Sequence, residues 1–415
     1  VAELGLVAAR ELGVTKVLVG RDTRESGKQL ETALANGLLA GGVSVELLGV
    51  APTPAIAFLA AKRGCASAAI TASHNPYLDN GVKLFANGGV KLSDAQQDAI
   101  ESHMTGSATV PAASALQVDL LGEYASHIVG LFPVLAFANI RVVLDCANGA
   151  MSDVAPEVFA RLGATVIVLN DRPNGKNINE VCGATHPEVV SEAVRLHKAD
   201  LGLAFDGDGD RVIAVDHIGD VVDGDHLIAL AAIDLHKRGK LKSNSVAVTV
   251  MTNAGFHQAM TKAGINVITT PVGDRNILVA FDEHGVVLGG EQSGHIIYRD
   301  YATTGDGLLA GAMLVDLVRR EAKPLATLAR NAMTSLPQTL INIRVAQVVN
   351  SPAEDLAAEI TDATKRLDGI GRVLLRASGT EPVVRVMVEA ASQETADAVA
   401  QGLAEVVSQR FGGVR

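Results

Sequence analysis

RVVLDCANGAMSDVAPEVFARLGATVIVLN, Arg141 to Asn170, reads as a strand, a polar turn, a helix and a second strand. Val-rich runs of this kind suit strands covered on both faces, and a Gly that closes the helix fits a left-handed cap. The same order occurs twice more. KVLVGRDTR from Lys16 leads through a helical stretch to GGVSVELLG from Gly41, and SVAVTVMTN from Ser245 leads through GFHQAMTKAG to INVITTPVG from Ile265. Three such units imply three related mixed α/β domains.

The end of the chain differs. LINIRVAQ from Leu340, a helix near Ala353–Leu367, RVLLRASG from Arg372, VVRVMVEA from Val383 and a terminal helix read as βαββα, a smaller α+β C-terminal domain. Pro-containing or Lys/Gly-rich interruptions near Phe132–Pro133, Lys237–Lys242 and Ser335–Pro337 set the expected domains at 1–133, 134–240, 241–336 and 337–415.

The 415 residues have room for these domains. Aromatics make up only 3%, with no Trp, so the cores must come mainly from Val, Leu, Ile and Ala. A net charge of −11 argues against nucleic acid or an anionic membrane as partner. The longest apolar runs are too short to span a bilayer, and no charged-then-apolar leader opens the chain. Cys65, Cys146 and Cys182 lie far apart without CxxC spacing. They read as buried thiols in a reducing compartment, and a cytoplasmic location is expected. The chain starts at Val1 inside what reads as a helix, so part of the natural N-terminus is expected to be absent.

Four segments carry chemistry. TASHNPYLDNGVK, Thr71 to Lys83, follows an Ala/Ile run that reads as a buried strand, which puts Ser73 on a loop at a strand end. An ordinary turn is the bland alternative, since each residue of Ser-His-Asn-Pro favours one. No Gly flanks Ala72-Ser73-His74, which excludes a serine-hydrolase elbow. In LGLAFDGDGDRV, Leu201 to Val212, a strand delivers Asp206, Asp208 and Asp210 at alternate positions, and the intervening glycines let all three converge on one hard cation. A pair of Asp-Gly turns is the alternative. An EF-hand is excluded, because Arg211 and His217 stand where its sixth and twelfth positions need Gly and Glu.

GGEQSGH, Gly289 to His295, presents Glu291, Ser293 and His295 on alternate residues, a set suited to sugar hydroxyl or amino groups. In RASGTEPVVR, Arg376 to Arg385, the small residues Ser378, Gly379 and Thr380 can wrap an anion between two arginines. Both segments also read as plain turns. GRDTRESGKQ, Gly20 to Gln29, has the wrong Gly spacing for a P-loop, and no GxGxxG follows a strand. One chemical segment per domain suggests four domains around a central cleft, with a phosphorylated sugar lying across it.

Taken together these segments resemble the α-D-phosphohexomutase family. ASHNPYLDNGVK, CANGA (Cys146 to Ala150), PNGKNIN (Pro173 to Asn179), DGDGDR, GGEQSGH and RASGTEP stand in the family's order across essentially the whole chain. GEQSGH, TASHNPYLDNG and TPVGDR (Thr270 to Arg275) are most similar to the branch that acts on glucosamine phosphate. The resemblance implies that Ser73 is phosphorylated and that Asp206, Asp208 and Asp210, with the phosphate on Ser73, bind Mg²⁺. It implies that Arg211 contacts the transferring phosphoryl group, that Lys83 and His295 are candidate general acid/bases, and that His74 supports the phosphoserine. Glu291 and Ser293 are then expected on sugar hydroxyls, and Gly273, Asp274 and Arg275 are expected at the substrate. Arg376, Ser378, Gly379 and Thr380, assisted by Arg385, are expected on the non-transferring phosphate.

The implied reaction interconverts glucosamine 6-phosphate and glucosamine 1-phosphate, with glucosamine 1,6-bisphosphate as primer and intermediate. The expected partners are a small phosphosugar and, in a homodimer, a second copy of the chain. The family also begins with a Tyr- and Gly-rich segment ending in an Arg that reaches the phosphoserine. No such segment is present here, and neither Arg21 nor Arg24 is assigned its role. A mutase for glucose or mannose phosphates is the alternative. An aspartyl-phosphate phosphatase is disfavoured because Asp210 stands where Thr or Val is needed, and a non-catalytic binding protein would not require Ser73, Lys83 and the acidic triplet.

Overall fold

The structure is a computed structural model that describes residues 1–106, 109–377 and 382–413. Its strands are β1 (Lys16–Arg21), β2 (Ser44–Val50), β3 (Ala66–Ile70), β4 (Val82–Ala86), β5 (Val90–Lys91), β6 (Leu116–Gln117), β7 (Arg141–Asp145), β8 (Thr165–Leu169) and β9 (Leu201–Phe205). They continue with β10 (Val212–Asp216), β11 (Val221–Val222), β12 (Ser245–Thr249), β13 (Asn266–Thr270), β14 (Leu288–Gly290), β15 (Ile296–Tyr298), β16 (Gln338–Arg344), β17 (Gly371–Ala377) and β18 (Val383–Ala390).

The described strands form four sheets, ordered β5-β4-β3-β1-β2-β6, β11-β10-β9-β7-β8, β13-β12-β14-β15 and β16-β18-β17. The first three share one plan. A central strand (β1, β7 or β12) is flanked by two parallel neighbours, and a fourth strand (β4, β10 or β15) returns antiparallel. The strand–helix–strand repeat seen in the sequence is thus part of a larger repeat. The turn from the third strand to the fourth holds Ser73 in the first sheet, the Asp206–Asp210 triplet in the second, and Glu291 to His295 in the third. Three chemical loops therefore sit in one topological slot, at the carboxyl ends of parallel strands where α/β sheets bind ligands.

The strands hold because their side chains are dry. β3, β9, β10 and β12 are buried along their whole length, and Val17, Leu18, Val19, Val142, Val143 and Leu144 line the two central strands between helices. After the first helix of each repeat, positive φ falls on Gly42, Gly163 and Gly264, so in the first repeat the left-handed residue is the one after Gly41.

The chain divides into two compact units, Val1–Met251 with Ala263–Ala332, and Thr252–Lys262 with Met333–Arg415. In the second unit β16, β17 and β18 are antiparallel and pack against the terminal helix Gln393–Phe411, around Val384, Val386, Val388, Ala400 and Leu403. The helix Ala254–Ala263 falls almost wholly in this unit, although the sequence puts it inside the third repeat. Buried Glu389 on β18 explains the attachment. It accepts from the Ala254 N–H at 2.9 Å and pairs with Arg372 at 2.9 Å, while Arg372 also donates to the Thr252 carbonyl.

Candidate active site

Ser73 sits just after β3 with φ of 53°, a left-handed conformation that costs a non-glycine residue energy and recurs at functional sites. Its N–H donates to Thr71 Oγ1 at 2.8 Å, and its hydroxyl donates to Asp206 Oδ2 at 2.6 Å. The loops that carry these two residues come from different sheets and touch through backbone. A Cβ on Gly207 would lie 2.7 Å from the Ser73 carbonyl oxygen, so a residue without a side chain is required there.

Asp206, Asp208 and Asp210 are all buried, with ligand atoms within 4.8 Å of one another. Asp206 accepts from Ser73 and, at 3.1 Å, from the Arg211 N–H. Asp208 Oδ2 accepts from Thr53 Oγ1 at 2.6 Å and from Lys83 Nζ at 2.7 Å, and Asp210 Oδ2 lies 3.0 Å from the same Nζ. Among the described residues, Asp208 Oδ1 and Asp210 Oδ1 have no hydrogen-bond partner although both are buried. Burial, then the charges of Asp210 and Asp208, push the Asp206 carboxyl well above the usual range. Burial acts on Asp210 as well, but Lys83, His295 and Arg211 outweigh it and hold that carboxyl well below the usual range, so the unbalanced strain falls on Asp206. Two buried oxygens without a hydrogen-bond partner among the described residues and a hard, all-carboxylate donor set fit a divalent metal.

The surrounding cations are placed by the same loops. Lys83, on β4 beside the Ser73 turn, has a side chain 32% exposed. Burial lowers its pKa, but Asp208 and Asp210 outweigh that effect and hold it above the ordinary lysine range. Lys83 therefore stands as a proton-bearing cation toward the carboxylates, an acid before it is a base. Arg211 Nε has no hydrogen-bond partner among the described residues and lies 3.8 Å from Asp210 Oδ1, which leaves the guanidinium available to an anion. His74 is exposed, with Nδ1 3.5 Å from Ser73 Oγ.

His295 is buried between two carboxylates, with Nδ1 3.6 Å from Asp210 and Nε2 3.3 Å from Asp274. Burial lowers its pKa, yet Asp210 and Asp274 raise it to about 9. The Gly305 N–H approaches Nε2 at 3.2 Å and competes for that nitrogen, but two full negative charges outweigh one amide dipole, so the imidazolium is favoured. Glu291 accepts from the Gly273 N–H at 3.1 Å, which joins the GEQSGH and TPVGDR segments, and Ser293 is exposed at the turn.

The structure gives Asp274 and Arg275 protein partners in place of open space. Asp274 is held by His295 and Lys91, and Arg275 turns onto Asp94 and Gln97. In the second unit, Arg376 on β17 and Arg385 on β18 are direct cross-strand partners, and neither Nε has a hydrogen-bond partner among the described residues. Burial and the adjacent Arg385 lower the Arg376 pKa. Like charges set opposite one another are destabilising unless an anion joins them. Ser378, Gly379 and Thr380 lie outside the described residues.

Three contributors were not legible as site residues. Thr53 binds Asp208 through both its N–H and its hydroxyl, Arg24 is buried behind the Ser73 turn, and Asn179 donates to the Ser73 carbonyl at 2.9 Å. Position was the signal for Arg24 and Thr53, which follow the carboxyl ends of β1 and β2, whereas Asn179 closes the PNGKNIN motif.

A buried serine hydroxyl on a carboxylate cluster suited to a hard metal, ringed by Lys83, Arg211 and His295, is the set of groups that metal-assisted phosphoryl transfer requires. The four phosphoglucomutase/phosphomannomutase domains match in order, domain I at residues 1–110, domain II at 122–219, domain III at 223–336 and the C-terminal domain at 340–406. The chain belongs to the phosphoglucomutase/phosphomannomutase family. It is 48% identical over 406 residues to a phosphoglucosamine mutase of Frankia casuarinae, covering 95% of this chain and 88% of that protein. It is 46% identical over 415 residues to the phosphoglucosamine mutase of Desulforudis audaxviator, covering 97% and 91%. Among solved structures, a phosphoglucomutase/phosphomannomutase family protein of Burkholderia thailandensis superposes with a TM-score of 0.82 at 26% identity, over 98% of this chain and 93% of that one.

Proposed function

We infer that the chain is a phosphoglucosamine mutase, interconverting glucosamine 6-phosphate and glucosamine 1-phosphate through phospho-Ser73. The observation that carries the chemical route is the 2.6 Å contact of the Ser73 hydroxyl with Asp206 inside the three-carboxylate cluster. In the first half-reaction the Oγ–P bond of phospho-Ser73 breaks and a P–O bond forms to the sugar O1. The O1 proton passes to a base and the departing Ser73 Oγ takes up a proton, giving glucosamine 1,6-bisphosphate. In the second, the Oγ–H proton passes to a base as a P–O bond forms to Oγ, the bond from phosphorus to O6 breaks, and O6 takes a proton.

Asp206, Asp208 and Asp210 would hold Mg²⁺, which when bound withdraws charge from the transferring phosphoryl group. Arg211 would steady that group's oxygens, and Lys83 or His295, both favoured as cations, would hand a proton to the departing oxygen. Glu291 and Ser293 would bind sugar hydroxyls, and the paired Arg376 and Arg385 would grip the phosphate not being transferred. No helix among the described residues is long and apolar enough to cross a membrane. Three buried free cysteines support a cytoplasmic setting.

Ser73→Ala tests the route. Turnover should vanish, and no radiolabel should pass from ³²P-labelled glucosamine 1,6-bisphosphate to the folded variant. Full residual activity would remove Ser73 from the mechanism.

A further inference from the structure

Behind the Ser73 turn, Arg24 is 1% exposed and spends every donor of its guanidinium on protein oxygens. Its Nε donates to Asp22 Oδ2 at 2.8 Å, one terminal nitrogen donates to the carbonyls of Ser73 (2.9 Å) and Asn75 (2.8 Å), and the other donates to those of Asp79 (2.9 Å) and Pro76. A guanidinium has five N–H groups, and here five acceptors take them. Nothing is left over for a phosphoryl oxygen, so Arg24 does not fill the phosphate-contacting role of the arginine expected from an N-terminal segment.

A second residue grips the same two carbonyls. Asn179, which follows β8 in the second sheet, donates from Nδ2 to Ser73 O at 2.9 Å and to Asn75 O at 3.1 Å. Asn179 is itself fixed, its N–H donating to the Ala147 carbonyl at 2.9 Å. The Ser73 carbonyl is thus held from the first sheet by Arg24 and from the second, which carries the Asp206 cluster, by Asn179. With the carbonyl fixed by the clamp and the N–H held on Thr71 Oγ1 at 2.8 Å, both peptide planes that meet at the Ser73 Cα are set, and with them its left-handed φ and the direction in which Cβ and Oγ leave the chain. Relaxation toward an ordinary φ would swing Oγ away from Asp206.

We propose that Arg24 and Asn179 are positioning residues for phosphoryl transfer, a two-sided clamp on the Ser73–Asn75 carbonyls that aims the nucleophile at the Asp206 cluster. Asp22, with its side chain fully buried against Arg24, is the counter-ion that keeps the guanidinium in register. The proposal rests on Ser73 as the group that carries the phosphoryl.

The test is steady-state kinetics on glucosamine 6-phosphate with Mg²⁺ and 1,6-bisphosphate primer, for Arg24→Lys, Asn179→Ala and Ser73→Ala, with folding checked by circular dichroism. Lysine keeps the charge but cannot span four carbonyls, so Arg24→Lys should lower kcat roughly 100-fold while KM stays within about threefold, the pattern of a misaimed reacting atom. Asn179→Ala should lower kcat about tenfold with the same split. Wild-type kcat in either folded variant, or a loss carried by KM, would overturn the clamp. If Arg24→Lys does not fold, Asn179→Ala decides by itself. An active Ser73→Ala would instead sink the underlying route, whereas a dead Ser73→Ala beside normal clamp variants would sink only this inference.

Discussion

Replacing Lys83 with Met keeps much of the side chain's length and removes the ammonium that Asp208 and Asp210 share, 2.7 and 3.0 Å away. Stripping one partner from a buried ion pair costs about 3–5 kcal/mol. Water reaches the Lys83 side chain, 32% exposed, so the expected loss falls to about 2–3 kcal/mol. At about 2–4 °C per kcal/mol for a body of this size, the first unfolding transition in EDTA should drop by roughly 5–10 °C. A divalent cation bound by the same carboxylates stabilises in proportion to its occupancy, about 2.7 kcal/mol at a hundredfold excess over Kd. Saturating Mg²⁺ should therefore raise the melting temperature of Lys83→Met by more than it raises wild type, because the cation meets carboxylates that no longer have Lys83. Differential scanning calorimetry with and without Mg²⁺ reads both shifts. A variant that melts with wild type in EDTA, or a cation that stabilises both proteins equally, would refute the view that Lys83 balances the metal carboxylates.

Gly305→Ala would place a Cβ about 2.4–2.6 Å from three atoms of the buried His295 ring. Overpacking of this sort costs about 1–3 kcal/mol, and the displaced imidazole should lower kcat. His295→Ala should then add little further loss in the double variant, and fully additive losses would show that Gly305 does not act through His295. Asp306 caps the helix Gly307–Glu321 and accepts from the buried Tyr124 hydroxyl at 2.8 Å, and burial raises its pKa to about 6. A carboxyl raised in the folded state adds stability that is complete below its unfolded pKa of 3.8 and is lost as pH climbs through about 6. Asp306→Asn stays uncharged, so relative to wild type it should gain about 1 kcal/mol between pH 5 and pH 7 in urea titrations. A pH-independent difference would show that Asp306 does not titrate in this window.

The sequence made most of the repeat visible because each of the first three domains carries a Val-rich strand, a helix and a Gly in that order. It also exposed Asp206, Asp208 and Asp210, since three acids alternating with glycines have few structural uses. The common slot of the three chemical loops was hidden, because the antiparallel return of β4, β10 and β15 is a fact of pairing that composition does not announce. Arg24 escaped for a related reason. Its partners are backbone carbonyls, and no residue pattern marks where a carbonyl will point. Asp274 and Arg275 were grouped with the substrate by resemblance, and their ion pairs with Lys91 and Asp94 in the folded chain were hidden because the partners lie far off in the sequence. The helix Ala254–Ala263 keeps its sequence-predicted form, but its attachment depends on Glu389, which lies 135 residues further along the chain from Ala254.

The most direct test of the account is a rate comparison on glucosamine, glucose and mannose 6-phosphates, each with Mg²⁺ and its own 1,6-bisphosphate primer. The account predicts the highest kcat/KM for glucosamine 6-phosphate, with glucosamine 1-phosphate as product. A preference for the glucose or mannose ester would contradict it, leaving the fold and the phosphoryl route in place but moving the chain's substrate to another branch of the family.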